Sequence, residues 1–255
     1  MIIEYHRPHT LEVALQLLSR ANPTTYPLGG GTELSRQTGQ DFAVVDLQGL
    51  RLNTIEKIES QLVLGATVTL QELIDQSDIP ENVKQIARLE AGYNLRHMRT
   101  IAGSLISADG RSGLLAAFLA LDGRLTWQPG EEEIGIGEWL LFRESLNKRR
   151  LLITKISISA NTILISEFVR RTAADTSILG LVVARWPSGR TRVVVVGPMK
   201  SPVLAMDGIG VSGIEKAVNV AHSHNIPKDK ADTIYLESCY SGLSRRLLER
   251  LEREL

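Results

Sequence analysis

The chain has 255 residues, 43% of them hydrophobic, which is enough to bury a sizeable core and excludes a largely disordered chain. Lysine plus arginine and aspartate plus glutamate each number 29, so the formal net charge is zero, which argues against a general nucleic-acid binder with its basic excess. The single cysteine, Cys239, excludes an internal disulfide and an all-cysteine iron–sulfur cluster held by this chain alone.

In chain order, Ile2 to Tyr5 predicts a short edge strand. Thr10 then caps an amphipathic helix over 10–20, with Leu11, Ala14, Leu15 and Leu18 at helical spacing, and Asn22-Pro23 ends it. Thr25 to Leu28 leads into a glycine cluster, and Phe42 to Leu47 reads as a strand. Residues 54–59 and 61–66 predict two strands joined by a tight turn. Thr69 and Glu72 hold the reciprocal positions of a capping box for a helix over 70–76. A helix over 81–91 precedes a polar, glycine-containing stretch from Gly92 to Gly113. Leu114 to Leu121 is apolar on nearly every side, so it predicts a buried helix. Gln128 to Gly137 reads as a loop. Strands are expected over 151–159, 167–171, 178–186 and 191–196, with hairpin-turn chemistry in Trp186-Pro187-Ser188-Gly189-Arg190. Helices over 214–223 and from Ser241 close the chain.

Two segments carry binding chemistry. In Leu28-Gly29-Gly30-Gly31-Thr32-Glu33-Leu34, three glycines let the backbone approach a ligand, and successive N–H groups form a concave anion site suited to a pyrophosphate. A plain turn is the competing reading, since neither a Gly-Lys-Ser/Thr nor a G-x-G-x-x-G pattern is present. In Thr100-Ile101-Ala102-Gly103-Ser104-Leu105-Ile106-Ser107-Ala108-Asp109-Gly110, small residues are again dense and hydroxyls add donors; the alternative is an irregular loop before the buried helix. The two stretches lie about seventy residues apart, and together they suggest a two-sided clamp on a diphosphate.

These residues carry a family resemblance. Tyr5-His6-Arg7-Pro8-His9-Thr10-Leu11-Glu12-Val13-Ala14, Gly29-Gly30-Gly31-Thr32-Glu33-Leu34 and Leu95-Arg96-His97-Met98-Arg99-Thr100-Ile101-Ala102-Gly103-Ser104-Leu105 resemble motifs of the FAD-binding (medium) subunit of molybdopterin hydroxylases, of the xanthine dehydrogenase and aerobic carbon monoxide dehydrogenase type. Leu119 to Gly123, Arg170 to Gly180 and the tail from Tyr240 extend the resemblance to nearly the whole chain. It implies an α+β chain: a two-subdomain FAD-binding fold of the PCMH type over residues 1–155, split near 50–55, then a C-terminal antiparallel sheet with packed helices over 156–255. It also implies FAD held by Leu28, Gly29, Gly30, Gly31, Thr32, Glu33 and Leu34 and by Thr100, Ile101, Ala102, Gly103, Ser104 and Asp109, mainly through backbone N–H groups. The flavin would take electrons from iron–sulfur clusters on a partner subunit, beside a molybdenum cofactor on a large subunit, and pass them to NAD, oxygen or another acceptor. No residue of this chain need act as acid or base, since the cofactor carries the redox chemistry.

The chain departs from the family pattern at Ala102 and Gly110, at Ser104 in place of asparagine, at Gly113 in place of aspartate, and at Val196-Gly197-Pro198-Met199. A second reading follows from Ala102 and Gly113: a degenerate member with weak or no FAD binding that serves as a structural or assembly subunit. A third is a free-standing flavin reductase. His97 replaces a family asparagine and would line the cofactor cleft or be a half-buried structural histidine. His222-x-His224 lacks metal-ligand spacing and partners, so no metal site is expected. No basic-then-apolar leader pattern and no apolar run near ~20 residues is present, so a cytoplasmic protein without a membrane span is expected.

Overall fold

The structure is a computed structural model that describes residues 1–36, 40–148, 152–172, 175–226 and 233–254. Leu151, Ala173 and Ala174, which figured in the expectations above, lie outside the described residues. The chain forms two compact units: Met1–Asp78, Ala91–Ser107 and Arg124–Ile158 make the first, and Ile79–Glu90, Ala108–Gly123 and Ser159–Leu255 the second.

In the first unit, β1 (Ile2–His6), β2 (Thr25–Leu28) and β3 (Phe42–Asp46) form a parallel sheet in the order β1-β3-β2. The central β3 is buried at every residue, as expected of an unbroken apolar run covered on both faces. Helix α1 (Leu11–Ser19) starts where the Thr10 hydroxyl accepts from the Val13 N–H at 3.4 Å. Its Ala14 and Leu18 bury against Val45, Leu47 and Leu152. A second, five-stranded sheet runs β4-β5-β8-β6-β7, from β4 (Ile55–Ile58), β5 (Gln61–Gly65), β6 (Arg124–Gln128), β7 (Glu132–Gly135) and β8 (Leu152–Ser159). The capping box at Thr69 and Glu72 starts α2 (Leu70–Asp75).

Two stretches differ from expectation in this unit. Gln128 to Gly137 is not a loop but a turn between β6 and β7, followed by α7 (Ile136–Lys148). Because β7 is an edge strand, Glu132 and Glu133 face water while Ile134 alone turns inward, so its acid-rich sequence hides the pairing. Helix α7 buries Trp139 yet exposes Leu141 and Phe142, and so lacks a clean apolar stripe. The stretch from Gly92 also contains two short helices, α4 (Tyr93–Arg96) and α5 (Ile101–Ser107).

The second unit is built on an antiparallel sheet in the order β12-β11-β10-β9, from β9 (Ile163–Val169), β10 (Leu179–Arg185), β11 (Arg190–Val196) and β12 (Val203–Ile209). The expected hairpin turn is present: Gly189 has φ 83° and its N–H donates to Trp186 O at 2.9 Å. β12 went unforeseen because it is an edge strand with partly exposed residues along its length. On one face, Leu181, Val183, Val193 and Val195 pack against Val218 of α8 (Ile214–Asn225) and against Leu243 and Leu247 of α9 (Thr233–Arg253). The unit's other buried layer is α6 (Gly113–Ala120), buried at all eight residues and packed on β10, β11 and α3 (Glu81–Glu90). Its N-terminus is held by Glu90, whose carboxylate accepts from Ser112 Oγ at 2.8 Å and from the Leu114 N–H at 3.1 Å. Among the described residues no helix is long and apolar enough to cross a membrane.

Candidate functional site: the paired glycine-rich loops

The parallel strand β2 ends at Leu28, and Gly29-Gly30-Gly31 carries the chain off the sheet at its C-terminal edge. The glycines are demanded by the second motif segment. A Cβ on Gly30 would lie 1.6 Å from Met98 O, and one on Gly29 would lie 2.8 Å from Thr100 Oγ1. Gly31 adopts φ 72°, which disfavours any side chain. Arg99 Nη2 meets Glu33 Oε1 at 2.7 Å, so an ion pair also ties the two stretches together. The two-sided arrangement read from the sequence is therefore a direct backbone-to-backbone junction.

The hydrogen bonds divide the labour between the two sides. The N–H groups of Ile101, Ala102 and Ser104 donate to Val68 O, Ala66 O and Thr100 O at 2.8, 3.3 and 2.9 Å. That of Gly103 donates to Thr100 Oγ1 at 3.2 Å. All four of these N–H groups are thus engaged within the protein. In the first loop the N–H groups of Gly30, Gly31 and Thr32 have no hydrogen-bond acceptor among the described residues. The Thr100 hydroxyl, accepting from Gly103, keeps its own proton to donate.

A cavity of about 510 Å³ opens on this junction, lined by Leu28, Gly29, Gly30, Gly31 and Thr100 together with Tyr5, Asp46, Gln48, Asn53, Thr67, Thr69, Glu72, His97 and Met98. A second, more apolar cavity of about 340 Å³ shares Gly29 and Thr100 with it and is walled by residues including Leu18, Ala102, Gly103, Ile106 and Trp127. Both volumes fall in the range of small-molecule sites. Of the expected site residues, Thr32, Glu33, Leu34, Ile101 and Ser104 line neither cavity. The Ser104 hydroxyl is buried without a hydrogen-bond partner. Asp109 belongs to the second unit, where its carboxylate accepts from the Arg111 N–H at 2.8 Å.

Of the remaining walls of the larger cavity, only His97 was singled out from the sequence as a candidate cleft residue. Asp46, 4% exposed, accepts from the Tyr5 hydroxyl and, at 2.9 Å, from the Gln48 N–H. That hydrogen bond to a carboxylate raises the Tyr5 phenol above its ordinary pKa. Glu72 accepts from the Thr69 N–H at 2.7 Å and the Thr69 hydroxyl at 3.0 Å. The signal for Glu72 and Thr69 was present as a capping box, but it spoke of a helix start and not of a site. Tyr5 opens one of the motifs that carry the family resemblance but was not read as a site residue, and Asn53 carried no local signal.

Ala102 takes the helical backbone of α5, which any residue accepts, so its methyl does not strain the chain. Gly110 is required within the second unit: a Cβ there would lie 2.5 Å from Met199 O, where Gly110 pairs with the Gly197-Pro198-Met199 segment. A Cβ on Gly113 would lie 2.9 Å from Phe168 Cζ, and one on Gly180 would lie 2.4 Å from Phe168 Cδ1. The Phe168 ring thus fills the space beside Gly113 that a longer side chain would need.

Comparison with known proteins bears on the whole chain. The family described as FAD binding domain in molybdopterin dehydrogenase matches residues 1–159. An Escherichia coli K12 protein, YgfM, described as uncharacterized, is 31% identical over 134 residues, 51% of this chain and 51% of that one. This chain thus spans about half the length of the curated relatives it matches. Among solved structures, carbon monoxide dehydrogenase from Hydrogenophaga pseudoflava superposes with a TM-score of 0.79 at 18% identity, covering 96% of both chains. Carbon monoxide dehydrogenase from Oligotropha carboxidovorans gives 0.79 at 22% identity, covering 97% of this chain and 96% of that one. Quinoline 2-oxidoreductase from Pseudomonas putida 86 gives 0.79 at 15% identity, over 98% and 96%. At these identities the superpositions establish the fold, and the match over residues 1–159 establishes the family: the chain belongs to the FAD-binding domains of molybdopterin dehydrogenases.

Proposed function

We propose that this chain binds FAD and serves as the electron-transfer flavin subunit of a molybdenum hydroxylase or dehydrogenase. Partner subunits would bear iron–sulfur clusters and the molybdenum cofactor, and NAD, oxygen or another acceptor would take the electrons. The observation that carries this reading is the junction of the two glycine-rich segments, where Gly30 and Gly31, whose N–H groups have no acceptor among the described residues, stand beside the Thr100 hydroxyl on one cavity. Successive free N–H groups on a glycine turn are what a diphosphate requires, and FAD has its diphosphate at the middle of the molecule. Two cavities meeting at Gly29 and Thr100 offer room for groups on either side of that linkage.

FAD, when bound, supplies the redox chemistry. The protein's part is to hold and orient it. Gly30, Gly31 and Thr32 would direct N–H groups at the diphosphate, and Thr100 would add a hydroxyl donor. Arg99 and Glu33 would keep the two segments in register, leaving Arg99 compensated. Leu28, Glu33, Leu34, Ile101 and Ser104 would support these donors from behind. The test is flavin content: protein purified with its complex should release FAD near one per chain after denaturation, whereas apoprotein that takes up no FAD on soaking would refute the reading.

A further inference from the structure

We infer that the polar cavity beside the glycine loop receives the hydroxyl groups of a sugar attached to the diphosphate, with the Asp46 carboxylate as their principal acceptor. This rests on the reading of Gly30, Gly31 and Thr32 as diphosphate donors and adds a specificity-determining residue to it. The sheet register brings the two together. In the parallel pairing of β2 with β3, Leu28 stands directly opposite Asp46. Leu28 is the last residue before the glycines, and Asp46 is the last residue of the central strand. Neighbouring strands lie about 4.8 Å apart, so the glycine loop starts one strand spacing from Asp46. Open parallel sheets bind ligands outside the carboxyl ends of their strands, which is where both residues sit.

Asp46 has acceptor capacity to spare. A carboxylate offers about four acceptor positions. Among the described residues its hydrogen bonds come from the Gln48 N–H at 2.9 Å and from the Tyr5 hydroxyl. Arg7 Nε, 3.7 Å away, balances its charge from outside hydrogen-bond reach. A carboxylate whose charge is matched but whose lone pairs are not all used calls for neutral donors such as alcohols, and for no further cation. The rest of the wall is of the same kind. The Tyr5 hydroxyl donates to Asp46 and keeps lone pairs with which to accept. The Gln48 side-chain oxygen accepts from Arg7 Nη2 at 3.0 Å, which leaves its amide N–H groups to donate. Asn53 and Thr67 add an amide and a hydroxyl, and among the described residues no lysine or arginine lines the cavity. Groups that both donate and accept match a sugar. The companion cavity, walled by Leu18, Leu47, Ile106, Trp127, Leu152 and Ile153, suits a flat ring instead.

The test measures affinities for FAD, ADP and FMN on the full chain and on Asp46→Asn. Asparagine keeps one oxygen for the Gln48 N–H and turns the other acceptor into a donor. FAD should bind about tenfold more weakly to the variant, the size expected of a lost hydrogen bond to a charged group. The same loss should fall on ADP alone when the cavity takes the ribose, or on FMN alone when it takes the flavin's polyol chain. Equal loss for ADP and FMN overturns the inference, since it marks a general disturbance of the phosphate loop. An unchanged affinity for FAD overturns it too, while leaving FAD binding intact. Because Asp46 also holds the Gln48 turn, wild type is tested in parallel with ADP and FMN analogues that lack single sugar hydroxyls. About tenfold loss in one series is expected, and no loss in either overturns the inference. ADP binding that depends on Asp46, without FAD binding, keeps the inference and overturns the FAD assignment. Binding of none of these ligands overturns both.

Discussion

At the residue scale, single atoms decide whether the two glycine-rich segments can meet. A methyl on Gly30 would sit 1.6 Å from Met98 O, so Gly30→Ala must drive the segments apart. We expect it to abolish FAD uptake and to cost about 1–3 kcal/mol in stability, the usual penalty for forcing atoms into a packed contact. Denaturant titration and flavin content of the same preparation measure both. Thr100→Val should remove the acceptor for the Gly103 N–H and the free hydroxyl donor, lowering stability by about 1 kcal/mol and weakening FAD more than that. Gly113 and Phe168 make a second pair. Gly113→Asp alone should destabilise by about 1–2 kcal/mol through the clash with the ring. Combined with Phe168→Ala it should cost about 1 kcal/mol less than the sum of the two single changes. Strict additivity in that cycle would show that the ring does not exclude a side chain at position 113.

At the element scale, burial controls how helices α6 and α8 respond to change. Glu90 accepts two hydrogen bonds at the start of α6, a helix with no exposed face, so Glu90→Ala should cost about 1–3 kcal/mol by leaving buried donors unpaired. His222 in α8 is 2% exposed and stacks on Tyr240 with ring centroids 4.8 Å apart. Burial lowers its pKa below 6.5, with Glu237 opposing the shift. The unfolded chain therefore binds the proton more readily, and stability is lost as the pH falls below 6.5 towards the folded-state value; above 6.5 the group contributes no slope. His222→Phe should flatten that acid limb in denaturant midpoints taken between about pH 7.5 and pH 5. An unchanged limb would assign it to other groups.

The same scale explains what the sequence could reveal. Buried elements with one strong pattern, such as Phe42–Asp46 in β3 and the all-apolar α6, were legible because both faces or all faces are covered. β7 and β12 were not: β7 is an acid-rich edge strand, and β12 is an edge strand of mostly apolar residues that are only partly buried and do not alternate with polar ones. The glycine-rich segments were legible as a site, but the reason for their glycines was not. Gly29 and Gly30 answer to Thr100 and Met98, a contact that sequence separation conceals. Likewise the sequence does not show that the N–H groups of Ile101 to Ser104 donate to Val68, Ala66 and Thr100 within the fold. Tyr5, Asn53 and Glu72 reach the cavity from separate elements and are ordinary in their local context.

For the whole molecule, the match over residues 1–159 sets the family and the superposition on carbon monoxide dehydrogenase sets the fold. If the Gly29–Thr100 junction holds FAD, flavin content must depend on it. The most direct measurement is the visible spectrum and released-cofactor analysis of the chain purified with its complex, alongside Gly30→Ala prepared identically. The account predicts FAD near one per chain in the wild type and its loss in the variant, with the variant still folded by circular dichroism. Stoichiometric flavin retained in Gly30→Ala, or none in the wild type after soaking with FAD, would contradict it.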